Sequence, residues 1–382
     1  MGELESAISR AREALASSKH KEALNILKPY KKSLKNVNSS NVPLHQIYAD
    51  IYLENGQLEK AYPLLVHACE LDPRGEIGGS EKFFILGQVA GGSDGIQMFM
   101  QGIESISSQA GDSLQQEQAD KIVSGLLSMI EIWMTDLCME ANAESQCEEL
   151  IAKAMEVSEN QSPEAWSVLG SIRISQQRFL EAIEAFSQSW KYFQVKKEAI
   201  EEAAKNVASA SLHSEFVELL QPLLNLSKMC IEMGLYDISL EIIGAVKDID
   251  EDNLEGYYLE GFTHYLVCKL NLFKLANPNI NLSAENVYEF NQHFQELPLD
   301  QGNPIIQEDL HEARCALTLA EKLAENNDPD DEFVQEIVGG TRALLQELGG
   351  PVDMVQLMKY KKGEEDEDED EEFEVEDEEF ES

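Results

Sequence analysis

Basic residues, glycine, proline and long apolar runs are all scarce in this sequence, and each shortage excludes a class of protein. Only 29 of the 382 residues are lysine or arginine, which argues against a nucleic-acid-binding protein, because gripping phosphates requires a surplus of positive charge. The 23 glycines and 11 prolines are too few for a collagen-like or wholly disordered chain. No stretch approaches the length of a membrane-spanning apolar segment, so we expect no transmembrane helix and no membrane partner.

Patterns that carry catalysis or bind metals are also missing. The six cysteines have no C-x-x-C spacing and mostly lie in apolar helical patterns, so we interpret them as reduced thiols. The histidines lack the i, i+4 spacing of a helical zinc site, and no P-loop, HExxH or GxSxG motif is present. The glycine-rich segment 91–95 has neither a strand before it nor a lysine after it. We therefore expect a protein that is not an enzyme, with no catalytic residues, no metal and no cofactor.

What the sequence has in excess is acid. Aspartate and glutamate number 72, which gives a formal net charge of −43. The last twenty residues, Gly363 to Ser382, hold 15 acidic residues and no basic one, yet the rest of the chain still has 57 acidic against 29 basic residues. Such a field attracts basic partners and repels nucleic acid, although acidity for solubility alone would give the same counts. A block of like charges has no core to bury, so we predict that the tail is disordered.

Residues 163–194 carry the most regular helical-hairpin pattern. A large residue, a leucine and a glycine follow one another as Trp166, Leu169 and Gly170, and a small and an aromatic residue follow as Ala182 and Phe186. This is the signature of a tetratricopeptide repeat, in which small residues let two helices approach closely while large ones fill the space around the crossing.

Weaker copies of this unit occur on both sides of it. Between residues 45 and 73, Ala49 takes the small position, Tyr52 the aromatic one, and Gly56 ends the first helix. The small positions Ala11, Ala49 and Gly87 recur at equal spacing. The fold class predicted is all-α, a tetratricopeptide-like helical-hairpin solenoid (a superhelix) with a disordered acidic C-terminal tail.

We divide the sequence into four predicted segments. Residues 1–270 are tetratricopeptide-like repeats with irregular insertions at about 91–120 and 195–220. Residues 271–304, rich in asparagine and proline, are an irregular excursion, with room for a short helix at 284–296. Residues 305–350 are the capping helices that a solenoid needs at its end, and residues 363–382 are the disordered acidic tail.

A solenoid of helical hairpins binds its partner in a concave groove lined by the first helix of each pair. Counting from Trp166 as position four of its repeat gives groove candidates in four repeats. These are Gln46, Asp50, Glu54, Asp136, Glu140, Ser167, Ser171 and Glu232. The set is mainly acidic, although a solvated helix face would look the same. Trp133, Phe83 and Phe84 would add cation–π contacts if they faced the groove, but core positions are favoured for all three.

One stretch resembles a known family. It consists of Ala68-Cys-Glu-Leu-Asp-Pro73 followed by Gly78-Gly-Ser-Glu-Lys-Phe-Phe-Ile-Leu-Gly-Gln88, the Gly91-Gly92 turn and Gly102, with the acidic tail further on. It is similar to the fungal and plant family of dedicated assembly chaperones for the L-four protein of the large ribosomal subunit. The resemblance implies that the groove binds the basic internal loop of that client, protects the client from aggregation and travels with it to the nucleus. It assigns no individual contact residues.

The sequence thus favours a dedicated chaperone of a basic ribosomal protein, L-four of the large subunit. We expect it to be a monomer, to bind no nucleic acid directly, and to occur in the cytoplasm and the nucleus. Two alternatives stay open: a tetratricopeptide scaffold subunit of a multiprotein complex, and an acidic histone chaperone.

Overall fold

Helices account for all the regular secondary structure that the computed structural model describes, at residues 2–111, 113–206 and 210–362. Seventeen α-helices and three 3-10 segments occur in these ranges, and no strand does. The all-α class is therefore confirmed. The predicted disordered tail, 363–382, lies outside the described residues.

The chain divides into two units, residues 1–172 and 173–382. This division falls inside the predicted repeat range 1–270, and the predicted segments themselves stay predictions. The helices of the first unit are α1 (Glu3–Ala16), α2 (His20–Leu27), α3 (Val42–Glu54), α4 (Leu58–Leu71), α5 (Glu81–Ala90), α6 (Gly92–Gln109), α7 (Gln116–Met134), α8 (Ala143–Val157) and α9 (Pro163–Ser175), the last of which ends just past the division.

Consecutive helices of the first unit pack in pairs, α1 with α2, α3 with α4, α5 with α6 and α7 with α8. The predicted small positions lie where helices pack: Ala11 and Ala49 are fully buried. At Gly87 an added Cβ would lie 2.9 Å from the ring of Phe99 on α6. Gly56 ends α3 with a φ of 65°, a backbone conformation that glycine adopts without strain. Small residues thus set the hairpin spacing, as the repeat pattern requires.

The two stretches predicted as irregular insertions are mostly helical. Residues 92–109 form α6, which packs against α5. In the second unit, α10 runs through residue 206 and α11 begins at residue 210. Inside α6, Gly95 and Gly102 allow close packing against neighbouring residues. A Cβ at Gly102 would lie 2.8 Å from the ring of Phe84.

A buried ion pair organises the loop between α4 and α5. Asp72 accepts hydrogen bonds from the backbone N–H of Glu76 (2.9 Å), Ile77 (3.2 Å) and Gly78 (2.8 Å), and from Lys82 Nζ at 2.9 Å. Asp72 and Lys82 are 4% and 1% exposed. Burial acts to raise the pKa of Asp72, but the hydrogen bonds and the Lys82 charge outweigh it and hold that pKa below its usual value. This loop lies within the stretch that carries the family resemblance.

The second unit has a core of its own. Its helices are α10 (Phe179–Asn206), α11 (Ala210–Glu232), α12 (Tyr236–Ile249), α13 (Leu254–Ala276), α14 (Ala284–His293), α15 (Gln307–Ala324), α16 (Glu332–Glu347) and α17 (Met354–Lys362). The predicted excursion holds α14, the predicted caps correspond to α15 and α16, and α17 was not anticipated. Tyr360 fixes α17 by donating a hydrogen bond to Glu260 Oε2 at 2.7 Å.

The crossing of α13 and α15 gives a stability prediction. A Cβ on Gly261 would lie 2.5 Å from Leu317 Cγ and 3.1 Å from the carbonyl oxygen of Ala313. We expect Gly261→Ala to lower the free energy of unfolding by about 2 kcal/mol, because overpacking forces helices apart. Urea denaturation followed by circular dichroism measures this.

The matched control is Gly244→Ala in α12, where an added Cβ meets nothing within 4 Å. This change should raise stability slightly, by about 0.5–1 kcal/mol, because alanine favours the helix. Equal effects of the two alanines would show that the close approach at Gly261 is unimportant.

Candidate functional site

Acidic side chains gather around Asp50 on α3, on the side of the first unit that α1, α3 and α5 share. The charges acting on Asp50 are those of Arg12 on α1, Glu81 on α5 and Glu54 on α3 itself. Glu54 and Glu81 are exposed, whereas Asp50 is half-buried. We call Asp50, Glu54 and Glu81 the acidic face. It lies on first helices of successive hairpins, where the sequence placed the groove.

The carboxyl group of Asp50 is unusually hard to ionise. Burial raises the pKa of Asp50 to about 6; the positive charge of Arg12 lowers it in part, and the negative charges of Glu81 and Glu54 raise it further. A cationic side chain bound here would favour the ionised form. The acidic face is therefore incompletely neutralised by its own protein and suited to an added positive charge.

Gln46, also a groove candidate, contributes to the fold of the loop. Its side chain is 8% exposed, and Nε2 donates a hydrogen bond to the carbonyl oxygen of Gly78 at 2.8 Å. Its Oε1 is buried without a hydrogen-bond partner in the described part of the chain. The amide thus ties α3 to the loop that Asp72 organises.

Asp136 and Glu140 occupy a different position from the one the repeat count gave. The count put them on the first helix of the fourth hairpin, but α7 ends at Met134, so both lie in the turn before α8. Both are exposed, and Asp136 Oδ2 accepts a hydrogen bond from the N–H of Gly92 at 2.8 Å. The count failed because α7 begins early and its small positions are out of step with the other repeats. The part of Asp136 and Glu140 in partner binding stays a prediction.

The remaining candidates lie on other helices than α3 and α5, which hold the acidic face. Ser167 and Ser171 are half-buried on α9, with Ser171 Oγ donating to the carbonyl oxygen of Ser167 at 3.4 Å. Glu232 belongs to the second unit, is half-buried, and accepts a hydrogen bond from Tyr288. Burial raises the pKa of Glu232, while that hydrogen bond lowers it. Of the predicted set, Gln46, Asp50 and Glu54 share α3, and Ser167 and Ser171 share α9.

Two residues of the site were missed from the sequence, Arg12 and Glu81. Glu81 was recoverable, because counting back from Gly87 as the small position puts it at position two of the third repeat. Arg12 occupies the position in the first repeat that Asp50 takes in the second, so the same counting would have found it.

The aromatic candidates belong to the core. Phe83 is fully buried, and the ring of Phe84 packs against Gly102 and Gly125. Trp133 packs against the same core as Phe84. The favoured core interpretation of all three is confirmed, which leaves carboxylates rather than aromatic rings to recognise a cation.

In residues 2–111, 113–206 and 210–362, no group of three or more histidine, cysteine, aspartate or glutamate side chains is arranged to hold a metal ion. None of the helices described combines the length and apolar character needed to cross a bilayer.

Comparison with known proteins agrees with this picture. A family model described as the ACL4 C-terminal domain matches residues 252–372, and a tetratricopeptide-repeat model matches residues 42–74. A protein of Emericella nidulans named "Probable assembly chaperone of rpl4" is 29% identical over 229 residues, which cover 58% of this chain and 54% of the relative. A Schizosaccharomyces pombe protein of the same name is 25% identical over 224 residues, covering 58% and 62%. The chain therefore matches less than two thirds of the length of either relative.

A solved structure, "Assembly Chaperone of RpL4 (Acl4)", has a TM-score of 0.56 and 23% identity, covering 72% of this chain and all of that one. Both the tetratricopeptide-like fold class and the resemblance to the L-four assembly chaperones are thus confirmed. At this identity the structural likeness speaks to the fold.

Proposed function

We propose that this chain is a dedicated chaperone of the newly made ribosomal protein L-four and holds a basic segment of that client on the acidic face. The two curated relatives, each named as a probable assembly chaperone of rpl4, support the choice of client. The grouping of Asp50, Glu54 and Glu81 on successive hairpins supports the mode of binding.

The binding is electrostatic in origin. Outside the first 35 residues, the first unit has 21 acidic against 5 basic residues. Such a field speeds the encounter with a basic chain, and salt weakens it. Segments rich in lysine and arginine that are destined for ribosomal RNA bind other polyanions without specificity, so covering them with carboxylates protects the client from such contacts. We further propose that the chaperone delivers its client for ribosome assembly in the nucleus and occurs in both cytoplasm and nucleus. It acts as a monomer and binds no RNA itself.

Affinity purification of the full chain from its own cells at low salt, followed by mass spectrometry, tests the client. One stoichiometric L-four protein is the expected result. Several subunits of one assembly would favour a scaffold instead, and histones would favour a histone chaperone; either outcome overturns the proposal.

The raised pKa of Asp50 predicts a pH-dependent stability. The pKa of Asp50 in the folded protein, about 6, lies above its value in the unfolded chain. The contribution of Asp50 to the free energy of unfolding is therefore complete at pH values below the unfolded pKa, and it is lost as the pH rises through about 6. Asp50→Asn removes this loss. We expect the variant to gain about 3 kcal/mol of stability relative to the unmodified chain between acidic and mildly alkaline pH, because the pKa of Asp50 rises from 3.8 to about 6 and each pKa unit corresponds to about 1.4 kcal/mol.

Denaturant titrations at an acidic and at a mildly alkaline pH measure the free energy of unfolding of the variant and of the unmodified chain. Asp120→Asn is the control, since Asp120 is exposed on α7, and its relative stability should change little with pH. A constant difference between Asp50→Asn and the unmodified chain would contradict the assignment.

A further inference from the structure

We propose that a lysine-rich surface on the first hairpin docks an acidic peptide segment of a second protein partner. The surface begins at the residue before α2 and continues through α2 and the 3-10 segment that follows it. We call it the lysine surface. Its members are Lys19, Lys21, Lys28, Lys31, Lys32 and Lys35. The proposal does not depend on the client, because a basic client would be repelled here.

Charge is segregated along the chain. Residues 1–35 hold 8 basic and 4 acidic residues, whereas residues 36–382 hold 21 basic and 68 acidic ones. All six members of the lysine surface are exposed, and in the described part of the chain none of them forms an ion pair. By contrast, nine lysines elsewhere lie within ion-pair distance of a carboxylate. The first hairpin therefore keeps uncompensated positive charge in a chain with abundant acid.

The 3-10 segment, Lys28–Lys35, arranges these charges in rows. With three residues per turn and a rise of about 2 Å, residues i and i+3 lie on one face about 6 Å apart. Lys32 and Lys35 form such a pair, as do Lys28 and Lys31. Tyr30 and Leu34 pack against the core of the first unit, which fixes the segment.

The spacing fits an extended acidic peptide. Alternate side chains of an extended chain lie about 6.5–7 Å apart, so carboxylates at every second residue would meet successive lysines of one row. Val37, 88% exposed and just beyond Lys35, adds an apolar contact that a peptide side chain can use and a phosphate backbone cannot. A long phosphate chain would also extend onto the acidic remainder of the molecule, whereas a short peptide needs charges only within the Debye length, about 10 Å at 0.1 M salt.

Fluorescence anisotropy with the full chain and a labelled probe tests the proposal. The probe is a short peptide of alternating glutamate and serine with one leucine at its end, in buffer with about 0.1 M salt, where the Debye length is about 10 Å. We expect Lys28→Glu, Lys32→Glu and Lys35→Glu together to weaken binding at least about tenfold, because each substitution replaces an attraction to a carboxylate of the probe by a repulsion.

The control carries Lys121→Glu, Lys153→Glu and Lys205→Glu, three exposed lysines with the same total change of charge. It should weaken binding less than about threefold, because long-range effects alone are small at this salt concentration. Circular dichroism checks that both variants keep their helical content.

Three results would overturn the proposal. The first is no saturable binding of the probe, or equal losses in the two variants. The second is tighter binding of a single-stranded RNA of similar length, which would make the surface a nucleic-acid site. The third is stronger probe binding after removal of residues 363–382, which would make the chain's own acidic segment the occupant.

Discussion

Replacing Asp72 by alanine will lower the free energy of unfolding by about 4 kcal/mol, the range expected when one partner of a buried ion pair is removed. The variant leaves Lys82, whose side chain is 1% exposed, without its counter-charge. It also leaves three loop N–H groups, those of Glu76, Ile77 and Gly78, without their acceptor. A buried donor without an acceptor costs its full desolvation penalty. Urea denaturation of the full chain measures the loss.

Two companion variants separate the ion pair from the loop. Glu76→Ala, an exposed side chain in the same loop, should change stability by less than about 0.5 kcal/mol. Asp72→Ala combined with Lys82→Met should recover part of the loss, since no unpaired charge then remains buried. If Asp72→Ala is no worse than Glu76→Ala, the pair does not organise the loop.

Reversing two exposed charges of the acidic face will weaken client binding about a hundredfold, or about 3 kcal/mol. The variant is Glu54→Lys with Glu81→Lys, measured by titration calorimetry with purified L-four protein. Each substitution replaces an attraction to the client by a repulsion. Asp50 is unsuited to this test, because burial already opposes a charge there, and a lysine would disturb packing as well as binding.

The matched control is Glu59→Lys with Glu70→Lys on α4, the second helix of the same hairpin. These glutamates are also exposed, so the net charge changes equally while the acidic face stays intact. We expect the control to weaken binding less than about threefold, and this small loss should shrink as added salt screens the long-range field. Equal losses would show that total charge, rather than the acidic face, holds the client.

Local sequence patterns predicted correctly those structural features that depend on residues close together along the chain. Ala49 and Gly87 predicted helix crossings because close approach excludes larger side chains there. The same counting failed at Asp136, because α7 ends at Met134 and Asp136 instead accepts a hydrogen bond from a glycine turn more than forty residues away in sequence. α17 was missed because its anchor, the hydrogen bond from Tyr360 to Glu260, joins residues far apart in the chain.

By itself the sequence determined the helical class, the hairpin organisation and the negative sign of the charge, because composition and short-range periodicity fix all three. Only the tertiary structure decided what each charge does. Asp50 and Glu54 lie one turn apart on α3, yet Asp50 is half-buried and under the influence of the Arg12 charge, whereas Glu54 is exposed. Asp72 and Lys82 are ordinary loop and helix residues in sequence and become a buried pair on folding. Burial and pairing depend on helices brought together from distant parts of the chain, and pattern within a single helix does not contain that information.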